Sequence, residues 1–204
     1  MNFNIEESFG NIVVGIDEVG RGTLAGPVLA VAVYIKRSLW KSFIKKYPEI
    51  NKINDSKKIS KKIREKLYKI LINIIQFGVG AASVKEIEEK NILQASLIAM
   101  ERAYISLKIN ADFVLVDGIN LPKIKAKVRA IKNGDNRSIS IASASIIAKV
   151  IRDNLMKKLS YKYPGFFWNE NSGYGTKLHI DKIKLLGITP HHRKSFKPMT
   201  KMIK

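Results

Sequence analysis

GIDEVGRGTLAGP, residues Gly15 to Pro27, follows Ile12-Val13-Val14 and places two adjacent carboxylates, Asp17 and Glu18, at the end of a hydrophobic run. Unpaired negative charge is not readily buried. The run therefore reads as a strand over Val13–Ile16 that ends at the acidic pair, with either water or a positive charge against it. Neighbouring strand residues point to opposite faces, so Asp17 and Glu18 reach one ion only where the strand bends or ends. Gly20-Arg21-Gly22 permits such a bend, lets backbone amides approach a ligand, and supplies an arginine able to pair with phosphate.

Outward from this corner, Pro27–Tyr34 reads as a second strand and Phe77–Val84 (FGVGAASV) as a third, marked by glycines. Ala111–Val116 reads as a buried strand ending at Asp117-Gly118, and Ala126–Ile131 as a short strand closed by the Asn133-Gly134 turn. Helices are predicted from a Ser60 cap to about Ile75, over Asn91–Leu107, from Ser138 to about Leu159, and from Thr176 to near Gly187. Pro48 to Lys58 is a polar loop, and Gly165 to Thr176 is aromatic and rich in turns. Strands cluster first and then alternate with helices. The expected class is α/β, a mixed central sheet flanked by helices, with a C-terminal helical extension.

The chain has 204 residues, 46% of them hydrophobic, enough for one full core. We expect a single domain over 1–204, with a core over about 11–160 and a helical part over about 161–204. Cysteine is absent, which excludes disulfides and thiolate metal sites. The start, MNFNIEESFGN, lacks the basic and apolar regions of a signal peptide. The longest apolar run, Leu24 to Ile35, is about a dozen residues, where a bilayer span takes roughly 20. A cytoplasmic protein with no membrane partner is expected. Lys and Arg number 37 against 17 Asp and Glu, a net charge of +20, and a polyanion such as nucleic acid is the natural partner.

Four carboxylates stand where chemistry gathers. Asp17 and Glu18 close the first strand, Asp117 sits at the C-terminal end of another, and Asp135 follows the Asn133-Gly134 turn. Taken singly, Asp117 and Asp135 also read as turn formers. Asp112, Asp153 and Asp181 read as structural. If the four converge, a cation must neutralise them, and without thiols their hard oxygens favour Mg²⁺ or Mn²⁺. Two such ions about 3.5–4 Å apart suit phosphodiester hydrolysis. No P-loop spacing is present, and FGVGAAS lacks the third glycine of a dinucleotide fingerprint.

GIDEVGRGTLAGPV resembles the opening motif of prokaryotic ribonuclease HII. The resemblance continues in order through Asp55-Ser56-Lys57-Lys58, GVGAASV, NILQAS, VLVDG, NGD, SIASASIIAKVIRD, YPG…GYGTKLH and HRKSF, from about residue 11 to 198. It implies a ribonuclease H-like fold and an endonuclease that cleaves the RNA strand of RNA–DNA hybrids. It also implies nicking of duplex DNA 5′ to an embedded ribonucleotide, leaving 3′-hydroxyl and 5′-phosphate ends.

By the same resemblance Asp17, Glu18, Asp117 and Asp135 are the catalytic metal ligands for Mn²⁺ or Mg²⁺. Gly20, Arg21 and Gly22 read the 2′-hydroxyl and adjoining phosphate, and Tyr174 stacks on the following deoxyribose. Lys57 is a candidate phosphate contact, and Lys149 is either another or a snorkelling helix residue. On its own pattern Tyr174 reads as a buried loop anchor, and His179, His191 and His192 as structural. Thr23, Ile119-Asn120, Asn133 and Ser143 depart from the family pattern without touching a carboxylate. A monomer is expected. The alternatives are a non-catalytic basic nucleic-acid binder, and another metal-dependent nuclease or transferase on the same fold.

Overall fold

A computed structural model describes residues 2–202. Five strands form one sheet: β1 (Val13–Val19), β2 (Val28–Tyr34), β3 (Gln76–Ala82), β4 (Phe113–Asp117) and β5 (Lys127–Ile131), in the order β3-β2-β1-β4-β5. β1 pairs antiparallel with β2, and β2 with β3. β1 pairs parallel with β4, and β4 with β5. The helices are α1 (Asn4–Glu7), α2 (Trp40–Lys46), α3 (Lys61–Ile74), α4 (Val84–Leu107), α5 (Ile139–Lys162), α6 (Trp168–Asn171), α7 (Lys177–Leu186) and α8 (Met199–Met202). This is the mixed, helix-flanked α/β sheet expected. Among the described residues no helix is long and apolar enough to cross a membrane.

Two helices sandwich the sheet. On one face Val31 and Val33 of β2 pack with Ile139, Ala142 and Ile146 of α5, and α3 covers them with Leu67 and Leu71. On the other, Val14, Ile16, Ala30, Val114 and Val116 pack against Ala95, Ala99 and Ala103 of α4. Such alternation along β1 is the two-residue period of a strand.

The structure corrects one boundary that matters. β1 does not stop at Ile16 but runs through Asp17 and Glu18 to Val19, paired with β2 all the way. It can do so because β2 pairs with it along the whole extension, while β4 pairs with it only as far as Ile16. Residues 84–107 also begin earlier than the helix predicted from Asn91. Asn91 itself is a break (φ 68°, ψ 164°), and its Oδ1 accepts from the amides of Leu93 and Gln94, capping the helix that was anticipated. The preceding turn from Val84 is capped reciprocally by Ser83 and Glu86. Ser60, the expected cap, and Ser138 and Thr176, where helices were expected to start, each accept with the side-chain oxygen from the amide three residues on.

The glycines of β3 have a packing function. A Cβ on Gly80 would stand 2.1 Å from the Ala99 carbonyl oxygen, and one on Gly78 would stand 2.3 Å from that of Ala103. Their absence lets α4 lie directly on the sheet. At the N-terminus, buried Glu6 accepts from the Ser138 hydroxyl (2.7 Å) and the Ser140 amide (2.9 Å), a carboxylate set against the start of α5.

The C-terminal part folds back onto the β1–β2 corner. Leu24 and Ala25 share a core with Met156, Phe166, Trp168, Ile183 and Met199. The Gly26 amide donates to the His191 carbonyl and the Arg193 amide to the Leu24 carbonyl. Within this core Trp168 Nε1 donates to His179 Nε2 (3.0 Å), and the Thr189 amide donates to His192 Nδ1 (2.9 Å). His179 and His192 are buried with hydrogen-bond partners inside this core. Burial, and then the neighbouring His179 and His191, push His192 down to about 4.

Two predictions follow from these packings. Gly80→Ala is expected to destabilise the fold by about 1–3 kcal/mol, the usual cost of overpacking, read from urea denaturation. Unchanged stability would show that α4 has room to shift. Because the folded-state value of His192 lies below its ordinary 6.5, the unfolded chain binds more protons between pH 6.5 and about 4. Its contribution to stability is complete above 6.5 and is lost as pH falls across that window. The melting temperature of His192→Gln is therefore expected to fall less steeply over that range than that of the parent; parallel slopes would contradict the assignment.

Candidate active site

Parallel pairing of β1 with β4 aligns Ile16 with Val116, so Asp17 and Asp117 stand side by side at the C-terminal ends of adjacent strands. Both lie one residue beyond the apolar pair, on the face toward α5. Adjacent strands are roughly 4.8 Å apart, close enough for the two charges to repel strongly. Asp135 arrives by a different route. Asn133 adopts left-handed geometry (φ 53°), and the single turn Gly134–Asn136 is pinned to β4 by the Gly134 amide, which donates to Asp117 Oδ1 at 2.6 Å. This bond brings the Asp135 turn to the strand end, and Asp135 is buried there.

Glu18 lies on the opposite face. Its β2 partner, Ala30, belongs to the core under α4, whereas the partner of Asp17, Val31, belongs to the core under α5. Glu18 instead borders a cleft of about 180 Å³ that Arg21, Ser96, Met100, Asp117 and Ile119 also line. Arg21 Nη1 sits 3.1 Å from Glu18 Oε1. Oε2 of Glu18 is buried without a partner. The sheet edge thus divides the acidic pair, as strand alternation requires, and Asp117 is the residue both sides share.

The electrostatics record this crowding. Burial, and next the charge of Glu18, hold Asp17 well above the usual carboxylate range, against a hydrogen bond from Ser145 on α5. Burial raises Glu18 too, opposed by Arg21. Asp135 is raised by burial and then by the charges of Asp117 and Asp55, opposed by Lys57. Burial alone would lower Lys57, but Asp55, Asp17, Asp135 and Asp117 outweigh it and leave it raised. Lys57 thus senses Asp55 and three of the four candidate ligands, Asp17, Asp117 and Asp135, but not Glu18. Its Nζ is 4.0 Å from Asp135 Oδ2.

These groups make an open site, not a closed cage. Among the described residues no three histidine, cysteine or carboxylate side chains form a ready-made metal site. The donor set nonetheless suits a hard divalent ion. It consists of carboxylate oxygens, it is under-neutralised, and it includes the orphaned Glu18 Oε2. A cation here would need further oxygens from water or a phosphate to complete its shell.

The other anticipated residues surround this edge. Gly20, Arg21 and Gly22 turn the chain out of β1, with Gly20 at φ +91°. The Lys57 side chain is 80% exposed. Tyr174 is 41% exposed and so is not the buried anchor its pattern alone suggests. Lys149 lies 5.7 Å from the Tyr174 ring centre, with its ammonium 2.7 Å from Asp153 Oδ1. It is paired rather than free, and it also lines a groove of about 260 Å³ with Lys61, Asn154 and Lys157.

Sequence reading assigned no role to Asp55, Ser145, Arg152 or Arg193, although each lies in or beside a motif quoted for its pattern. Asp55 is a further buried carboxylate facing Asp135 and Lys57. Arg152 lies on α5 between Ile151 and Asp153, and Arg193 lies outside any helix among polar and basic residues, so neither stands out along the chain.

The chain is similar to known proteins over nearly its whole length. The family pattern described as Ribonuclease HII matches residues 14–199. A ribonuclease HII of Wolbachia sp. subsp. Brugia malayi (strain TRS) is 50% identical over 198 residues, covering 97% of this chain and 94% of that protein. The crystal structure of ribonuclease H2 from Pyrococcus horikoshii OT3 superposes with a TM-score of 0.75 at 27% identity, covering 94% of this chain and 96% of the other. Bst-RNase HIII in complex with Mn²⁺ shares the fold, with a TM-score of 0.78 at 15% identity over 97% of this chain and 71% of that one. The chain belongs to the ribonuclease HII family and is a type 2 ribonuclease H, a hydrolase of phosphodiester bonds.

Replacing Asp17 by Asn removes one of the crowded buried charges. In metal-free buffer Asp17→Asn is expected to melt above the parent protein, with each kcal/mol of relieved repulsion worth roughly 2–4 °C. Added Mn²⁺ should then raise its melting temperature less than it raises the parent's. A variant that melts lower without metal would show that Asp17 is not electrostatically strained.

Proposed function

We propose that Asp17, Glu18, Asp117 and Asp135 hold the divalent cation of this ribonuclease and that Gly20–Gly22, Lys57, Lys149 and Tyr174 hold its substrate. The chain is an endoribonuclease acting on RNA–DNA hybrids, dependent on a divalent metal, and serves ribonucleotide removal. On our reading it also nicks duplex DNA 5′ to a single embedded ribonucleotide and leaves 3′-hydroxyl and 5′-phosphate ends. The observation that carries the assignment is the alignment of Asp17 with Asp117, with the Asp135 turn bonded to Asp117.

Each protein group has a definable task. Asp17 and Asp117 offer oxygens on the α5 side, Glu18 offers its unpartnered Oε2 on the α4 side, and Asp135 closes the edge. A divalent cation, when bound, supplies the polarisation that activates a water and the charge that stabilises the leaving oxygen. Ribonucleotide and deoxyribonucleotide differ locally only in the 2′-hydroxyl, so recognition needs donors and acceptors placed within about 3 Å of that group. The Gly20–Gly22 corner, adjacent to Glu18 and free of side-chain bulk at Gly22, is the backbone able to approach that closely. The Lys57 ammonium stands in water at the carboxylate edge, where a phosphate would meet it. The exposed ring of Tyr174 offers a flat apolar surface to a sugar. The net charge of +20 draws the duplex in, and the groove beside Lys61, Lys149 and Lys157 can seat its flanking phosphates.

The oxygen-only donor set supports Mg²⁺ or Mn²⁺ as the ion, and Mn²⁺ is bound in the related Bst-RNase HIII. We propose that the protein acts as a monomer. The deciding assay is cleavage of a duplex with one embedded ribonucleotide, run beside an all-DNA duplex, with Mn²⁺, with Mg²⁺ and with EDTA. Metal-dependent nicking 5′ to the ribonucleotide alone is expected. Asp17→Asn should lose on the order of 10³-fold in rate, equivalent to about 4 kcal/mol, while still binding duplex. Equal attack on all-DNA would replace this reading with a less selective nuclease, and binding without cleavage would leave a nucleic-acid-binding protein.

A further inference from the structure

Two arginines, Arg152 on α5 and Arg193 near the C-terminus, are fully buried. Among the described residues neither is in an ion pair. A buried cation normally demands an anion. Here the partners are five backbone carbonyls of the β1–β2 loop, the Thr23 hydroxyl and the Ser172 carbonyl. Arg193 donates to Gly20 O (Nη2, 2.7 Å), Arg21 O (Nη1, 2.9 Å) and Gly26 O (Nε, 3.0 Å; Nη2, 2.7 Å). Arg152 donates to Pro27 O (3.2 Å), Ala25 O (3.1 Å), Thr23 Oγ1 (2.9 Å) and Ser172 O (2.8 Å). The two cations also repel one another. Burial first, and then Arg152, lower Arg193 to about 9, which leaves it charged at neutral pH. Ordinary loop packing does not call for two uncompensated charges.

Peptide geometry shows what they accomplish. In a trans peptide the C=O and the following N–H point in opposite directions. Turning the carbonyls of Gly20 and Arg21 inward onto Arg193 therefore turns the amides of Arg21 and Gly22 outward. Both residues are exposed, a Cβ on Gly22 would meet nothing within 4 Å, and among the described residues neither amide has a hydrogen-bond acceptor. Two successive outward amides form a small concave donor site for an anion or a hydroxyl oxygen. It lies beside Glu18, to which Arg21 is paired. Arg152 adds a second link. It joins the same loop to Ser172, two residues before Tyr174, while the Leu24 amide donates to the Gly173 carbonyl. Gly20 is confined to glycine both by its φ of +91° and by Arg152 Nε, which a Cβ there would overlap.

We propose that Arg152 and Arg193 are positioning residues: they hold the carbonyls of the corner inward so that the Arg21 and Gly22 amides face a substrate oxygen, and they fix that corner relative to Tyr174. The proposal rests on the reading of this corner as substrate-facing. A lysine carries the same charge but directs its donors from one point and cannot span carbonyls on several residues. Thr23 belongs to this network, since its hydroxyl accepts from Arg152 and bonds the Gly20 and Ala25 carbonyls (both 3.1 Å).

The test compares the parent protein with Arg193→Lys, Arg152→Lys and Thr23→Val. Binding to a duplex with one ribonucleotide and to an all-DNA duplex is measured in EDTA, and kcat and KM are measured with Mn²⁺. Folding is followed by thermal melting, and the Arg21 and Gly22 amides by NMR. In the parent, both amide signals are expected to shift when the ribonucleotide duplex is added. The lysine variants should bind all-DNA as the parent does, yet lose the preference for the ribonucleotide duplex, the amide shifts, and on the order of 10²-fold in kcat. Thr23→Val should lose roughly tenfold. Folded lysine variants that keep parental preference and kcat overturn the proposal, as do parent amides that ignore the duplex. If the lysine variants do not melt cooperatively, Thr23→Val decides, and parental values there overturn it. A parent protein that binds with these amide shifts but does not cleave counts against the proposed function and not against this inference.

Discussion

Negative charge that cannot disperse into water governs this molecule. β1 is paired with β4 as far as Ile16 and with β2 as far as Val19, so its backbone is held in the sheet to that point. Its side chains are not satisfied. Asp17 is held under α5 with Asp117 as its immediate neighbour, and Glu18 keeps an oxygen without a donor. A fold selected only for stability would replace such groups with apolar residues of similar volume. Their retention makes sense if the missing positive charge comes from outside the chain, shared between an ion and a substrate phosphate.

The sheet topology makes that concentration possible. β1 is the strand at which pairing changes from antiparallel, toward β2, to parallel, toward β4. Only parallel neighbours bring their C-terminal ends together, and the β1–β4 pair does so at the two aspartates. The next connection, from β5 into α5, passes the same end and delivers Asp135 on a turn bonded to Asp117. Because β1 alternates, its two acids diverge, and the resulting site is open toward solvent instead of closed within protein. An open site is what a reaction on a duplex backbone requires, since the substrate must supply part of the coordination.

Much of this was legible in the sequence, for identifiable reasons. Helix starts were visible where a side-chain cap precedes apolar periodicity, as at Ser60, Ser138 and Thr176. The helix from Asn91 was legible from the apolar spacing of Ile92, Ala95, Leu97, Ile98 and Ala103, while the preceding turn was missed because KEIEEK buries only Ile87. The end of β1 was misplaced because carboxylates argue against a buried strand unless their partner is known. The four acids were legible as separate strand-end and turn positions, but the bond from the Gly134 amide to Asp117 is a tertiary fact with no local signature. The β3 glycines resembled a broken nucleotide motif and proved to be clearance for α4.

The buried arginines were the least legible feature, and the reason is physical. A lone arginine in a helix, like Arg152, or in a basic loop, like Arg193, is ordinarily a solvated residue, and nothing in its neighbours along the chain announces that carbonyls from residues 20–27 will converge on it. Yet positive charge beneath the corner and negative charge at the strand end are complementary parts of one arrangement. The carboxylates leave room for a cation, and the guanidiniums fix the peptide planes beside it by drawing carbonyls away from the surface. A neutral donor such as glutamine could satisfy two of those carbonyls but not the five that Arg152 and Arg193 engage around Gly20–Pro27. Rigid, preoriented amides need no reorganisation when a substrate arrives, and that is where a loop with three glycines would otherwise lose its selectivity.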